Sequence, residues 1–222
     1  MASPPSNSLP KAPLPAITIS TSSIYQYRLA DISSRATFQD ALNTLFQSEI
    51  LGPQTPILAS SLYTTTLSRI SQKVSLGSQI VEADSFAAVA CWEPPGAVHP
   101  KHTASQLAEI AKTRPVYADF IRDIEDARSE CLGEFENRCW QLSLMARDPE
   151  RRSKGAVRAI LEPFLERARR EGTPVWCVAG NERARDVYQY FGFRVVRVVR
   201  SGQGEGVRTW CMVFNWPVKS LE

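Results

Sequence analysis

The C-terminal half of the chain predicts an α/β fold with a parallel strand pair at its centre. Three observations carry this. Residues 139–147 (CWQLSLMAR) alternate as a strand, with Trp140, Leu142, Leu144 and Ala146 on one face. A helix over 154–170 follows, with Val157, Ile160, Leu161, Phe164, Leu165 and Ala168 at helical spacing. A short apolar strand over 174–178 comes next, and a strand–helix–strand connection of this kind pairs its two strands in parallel. Ser153 reads as the N-cap of the first helix and Glu171-Gly172 as its stop. Asn181 caps a second helix running to Tyr190, and Gly192 ends it. The β-branched stretches 194–199 and 209–214 read as two strands joined by the hairpin-like SGQGEG.

The chain has 222 residues, 43% hydrophobic and 22% charged, enough for one well-packed domain. Its net charge of +3 is too small to suggest a nucleic-acid partner by itself. No apolar run is long enough for a membrane span, and the N-terminus carries no basic-then-apolar leader. The five cysteines are scattered without a CxxC pair. They read as reduced, buried thiols of a cytoplasmic protein, with no metal site. His99 and His102 follow a Pro-Gly turn and read as loop histidines.

Residues 1–22, rich in Pro, Ser and Thr, read as a flexible tail, leaving a single domain over 23–222. Tyr25, Tyr27 and Leu29 alternate as a short strand. Helices are expected over 37–46 and 57–74, with Pro53 and Pro56 breaking the chain between them. Residues 79–83 and 86–92 read as two strands, the second ended by the prolines of CWEPPG. Residues 99–131 are helical in character, with Pro115 between two segments.

Two stretches carry chemistry. In DPERRSKGAVRAIL (148–161) a strand ends, a glycine turn follows and a helix begins. A helix N-terminus offers unpaired N–H groups and the positive end of the helix dipole, which suits a phosphate, and Arg151, Arg152 and Lys154 add charge. In NERARDVYQYFGF (181–193), Asn181, Ala184 and Tyr188 fall along one helical face. Tyr188 has a phenol able to donate a proton.

In this order the two stretches resemble the GNAT superfamily of acyl-CoA-dependent N-acetyltransferases, clearly across residues 140–196. The segment AAVACWEPPG resembles the corresponding strand of fungal members. The resemblance implies a mixed, mostly antiparallel sheet with a central splayed parallel strand pair and flanking helices. It implies acetyl-CoA as co-substrate. Leu144, Met145 and Ala146 would face pantetheine, and Arg152, Ser153, Lys154, Gly155, Ala156 and Val157 the pyrophosphate. Asn181 matches the family's cofactor-side asparagine. Tyr188 matches the general acid that protonates the leaving thiolate.

Three positions depart from the family pattern. Val157 replaces the last small residue of the turn, where a β-branched side chain is expected to crowd the phosphates. Gln141 and Ser143 stand on the strand where many relatives carry an acid or a histidine. A general base is then sought among Glu82, Asp84, Glu93, Glu134 and Glu136. Glu93 is favoured, because burial beside Trp92 would raise its pKa. Arg147 stands where a small apolar residue is usual, and pairs with Asp148 or reaches a phosphate. The reading is an N-acetyltransferase acting on a small-molecule amine, with no nucleic acid, membrane or metal involved. The alternative is a GNAT fold that has lost acetyl transfer and takes another small molecule in the same cleft. No feature fixes the oligomeric state.

Overall fold

The computed structural model describes residues 13–97 and 100–217. In chain order the strands are β1 (Ile17–Ser20), β2 (Gln79–Ala83), β3 (Ala88–Glu93), β4 (Trp140–Arg147), β5 (Val175–Ala179), β6 (Arg194–Ser201) and β7 (Val207–Phe214). They form one seven-stranded sheet in the order β1-β2-β3-β4-β5-β7-β6. Among the described residues only β4 and β5 pair in parallel. The helices are α1 (Ser23–Thr37), α2 (Ala41–Leu51), α3 (Ala59–Ser75), α4 (Ala104–Ala111), α5 (Pro115–Leu132), α6 (Ala156–Glu171) and α7 (Glu182–Tyr190). The α/β architecture with a central parallel pair is as expected.

The sheet is covered on both faces. On one face α6 packs against Trp92, Trp140 and Leu142. Trp92 stacks on Phe164 with ring centroids 4.8 Å apart, and its indole N–H donates to the Ile160 carbonyl at 3.1 Å. That bond lies beside Pro163, which has no N–H to give to its own helix. On the other face α1 and α3 cover Ile80, Val89 and Cys91. There α2 and α5 cover Trp176, Cys211 and Val213.

β4 changes face partway along. Its register with β3 slips so that Trp92 opposes Leu142 while Cys91 opposes Leu144, leaving Ser143 as the extra residue of a β-bulge. Trp140 and Leu142 therefore face α6, whereas Leu144 and Ala146 face α1 and α3. The expected single face for all four does not hold, because the bulge resets the alternation.

Other expectations are corrected at the N-terminus. Residues 25–29 are not a strand but part of α1, which buries Leu29, Ala30, Ile32, Ser33 and Ser34. Ile17–Ser20, placed in the expected tail, is instead β1 on the sheet edge, with Thr18 bonded to the Glu82 carboxylate. Residues 1–12 of that tail lie outside the described residues, as does His99. The helix expected over 37–46 divides: α1 runs to Thr37, and α2 starts at Ala41 with Asp40 at its N-cap. Ser153 does not cap α6. Gly155 does, at φ +83°, a left-handed conformation that strains any residue with a Cβ.

Candidate active site

The paired length of β4 and β5 is short. Trp140, Gln141 and Leu142 pair with Val175, Trp176 and Cys177, and no pairing follows. β4 continues to Arg147 and β5 to Ala179, so the strands part in the middle of the sheet. A cleft of about 580 Å³ opens there, lined by Leu142–Met145 of β4, residues 176–178 of β5, and Asn181, Ala184 and Tyr188 beyond it. Asp40 and residues of α2, α3 and α5 form the facing wall.

At the far end of β4, Asp148 fixes the turn. It is buried and accepts from Arg35 at 3.1 Å and from the Glu150 N–H at 3.0 Å. Burial alone would raise its pKa, but these donors prevail and hold the carboxyl below its ordinary value. Arg147 therefore does not pair with Asp148, and it is exposed. Among the described residues, the backbone N–H groups of Arg152 through Arg158 have no protein acceptor, while Ala159 N–H returns to the Gly155 carbonyl at 2.8 Å. A cradle of unpaired donors at the start of a long helix, flanked by Arg151, Arg152 and Lys154, fits a pyrophosphate. A Cβ on Gly155 would sit 3.4 Å from both Leu14 and Pro15, so the segment leading into β1 packs against this turn.

Val157 is half-buried in the first turn of α6. Its side chain packs against the core under α6, so the mouth of the turn is left to backbone. Leu144 and Met145 line the cleft; Ala146 does not, being buried under α1 and α3 nearer the end of β4.

Asn181 and Tyr188 come together on the α7 wall. Asn181 Oδ1 accepts from Ala184 N–H at 2.8 Å, and its Nδ2 donates to Asp40 Oδ2 at 2.8 Å. Tyr188 is 5% exposed, packs on Phe193 and borders the cleft. Burial, helped by nearby Cys177, pushes its phenol well above the ordinary value, so at neutral pH it carries its proton.

Glu93 does not line the cleft. It is fully buried at the end of β3, ion-paired with Lys73 at 2.7 Å and bonded by Gln141 Nε2 at 3.0 Å. Two partners anchor it behind the wall, and it is those partners that reach the cleft. The other expected carboxylates are elsewhere: Glu82 bonds Thr18 and the Phe86 N–H, Glu136 bonds Arg128 and Ser129, and Glu134 lies near Arg138 at the surface.

Asp40 was not singled out in the sequence, nor were Glu125 and Arg128, yet all three line the cleft. Burial raises the Asp40 carboxyl above its ordinary value, against the Asn181 hydrogen bond and the charge of Arg183. Glu125 accepts from the backbone N–H of His102 at 3.0 Å and lies 2.7 Å from His102 Nδ1. His102 thus belongs to the cleft wall and is not merely a loop residue. Among the described residues no cluster of side chains could hold a metal ion, and no helix is long and apolar enough to cross a membrane.

Residues 118–193 match the model of the acetyltransferase (GNAT) family. The parted parallel strands and the turn that opens α6 both lie inside this matched segment, so the likeness to that family covers the cleft and the turn. An uncharacterized protein of Saccharomyces cerevisiae is 28% identical over 149 residues, 62% of this chain and 61% of that protein. An uncharacterized N-acetyltransferase of Schizosaccharomyces pombe is 20% identical, over 51% of this chain and 50% of its own length. The matched region thus spans only about half to three fifths of these relatives. Among solved structures, a polyamine N-acetyltransferase of Drosophila melanogaster that forms N-acetylagmatine shares the fold. It has a TM-score of 0.61 at 13% identity and covers 90% of this chain and 99% of its own.

Proposed function

We propose that the protein is an acetyl-CoA-dependent N-acetyltransferase acting on a small-molecule amine. One observation carries this reading: the strands part on the same β4 that ends in a cradle of unpaired N–H groups. A ligand with a pyrophosphate at one end and a reactive group at the end of an arm fits such a path. The packing of Val157 against the core weakens one of the features that favoured a cleft turned to another ligand, the others being Gln141 and Ser143.

Acetyl-CoA would supply the thioester. Backbone N–H groups of residues 152–158 would hold its pyrophosphate, and the unpaired edge of β4 at Leu144 and Met145 would lie along its arm. Asp40 is the base. It lines the cleft, and its raised pKa makes it a better proton acceptor than an ordinary carboxylate. The amine nitrogen bonds to the thioester carbon, the carbon–sulfur bond breaks, the amine proton passes to Asp40 and the thiolate takes the Tyr188 proton. Asn181 positions Asp40 by the 2.8 Å hydrogen bond and caps α7, which carries Tyr188.

The test is release of free thiol from acetyl-CoA with a panel of small amines. Wild-type protein is expected to turn over at least one of them. In Asp40→Asn, kcat/KM should lose the limb that rises with pH just above the ordinary carboxylate range, with a rate loss of about 10²-fold or more. An unchanged profile would remove Asp40 from the role of base.

A further inference from the structure

The facing wall of the cleft contains a buried cation. Arg128 is 5% exposed and lines the cleft. Its NH1 donates to Gln141 Oε1 at 2.8 Å and its NH2 to Glu136 Oε1 at 3.3 Å. Its Nε is buried and has no acceptor among the described residues. Buried guanidinium donors are rarely left unpaired, because each unmade bond leaves a desolvated N–H. Across from it α3 directs Arg69 and Lys73, one helical turn apart, into the same cleft. The carboxylates that neutralise Lys73 and Arg128, Glu93 and Glu136, lie outside the cleft lining, so these cations face inward with their counter-charges behind them.

The carboxylates on the wall are already engaged. Glu125 places both oxygens on His102, and Asp40 bonds Asn181. With Asp40 taken up by the reacting amine and Glu125 by His102, no further carboxylate among the lining residues is left for the second cation of a polyamine. Beside Arg128, Phe46, Phe120, Ile121 and Ile124 give the wall an apolar stretch.

We propose that the acceptor is an aminocarboxylate with an apolar side chain, its carboxylate held by the cations Arg128, Lys73 and Arg69 that line the cleft. This rests on the transferase reading and goes further in naming the acceptor class. The reaction is the one above: the amine gains the acetyl carbon, the thioester loses its sulfur, and the carboxylate is unchanged.

The probes are N-acetylphenylalanine and N-acetyl-2-phenylethylamine, matched but for the carboxylate, titrated calorimetrically into the protein without CoA. The carboxylate is expected to bind about tenfold tighter or more, as a charge-assisted bond to a buried guanidinium allows. Arg128→Gln should abolish that preference. Arg69→Gln, at an exposed position where the fold is not at issue, should reduce it severalfold. Equal or tighter binding of the decarboxylated probe, or a preference that survives in both variants, would overturn the proposal. A separate CoA titration keeps the two readings apart: no CoA binding with the preference intact would sink the transferase and leave a carboxylate site.

Discussion

Tyr188 is the residue whose surroundings most constrain its chemistry. A phenol this buried keeps its proton at neutral pH, which is the state a general acid needs. Tyr188→Phe should lower turnover by about 10²-fold or more with CoA affinity nearly unchanged, as steady-state kinetics and calorimetry together would show. Unaltered turnover would remove the phenol from the reaction. Asp148 makes a prediction about stability rather than rate. Its folded-state carboxyl lies below the ordinary value, so the ionised form stabilises the fold at and above the usual carboxylate range. That contribution fades as pH falls through the lowered folded value. Asp148→Asn should therefore cost about 2 kcal/mol near neutrality, and the gap to wild type should narrow in acid. Chemical denaturation at pH 7 and pH 3 measures it, and an equal gap at both would contradict the account.

Among the elements, α6 and its turn test how the cradle works. Val157 packs inward, so Val157→Gly gains nothing at the phosphate site and loses core contact and helix propensity. CoA affinity is expected to stay within about twofold while stability falls by about 1 kcal/mol or more. Clearly tighter CoA binding in that variant would mean that the side chain crowds the ligand after all. The C-terminal elements were legible because each carries its own local signal: a long apolar stripe on α6, an asparagine cap on α7, β-branched runs in β6 and β7. The N-terminal ones were not. Five residues from Tyr25 to Leu29 are too few to separate alternation from helical spacing. The wider pattern of Leu29, Ile32 and Ser33 is what reveals α1. The short β-branched run at Ile17–Ser20 was hidden beside prolines, and the bulge at Ser143 leaves no mark in an evenly alternating strand.

For the whole molecule, the candidate site is a convergence that no local window contains. Asp40 meets Asn181 across 141 positions of sequence, and Arg128 of α5 reaches Gln141 of β4. The cradle and Tyr188 were legible because one motif holds each. The proposed base was not, because Asp40 acquires its character only when the segment between α1 and α2 closes against α7. Glu93, chosen for its burial, is indeed buried, but its partners anchor it behind the wall.

The central claim is that the cradle at Gly155 and the parted strands together hold acetyl-CoA. Calorimetric titration of the purified protein with acetyl-CoA tests it most directly, with Gly155→Val as the control that places a β-branched side chain on a left-handed residue. The account predicts micromolar binding by the wild type, weakened at least tenfold in the variant. Absence of binding by the wild type at millimolar acetyl-CoA would contradict it.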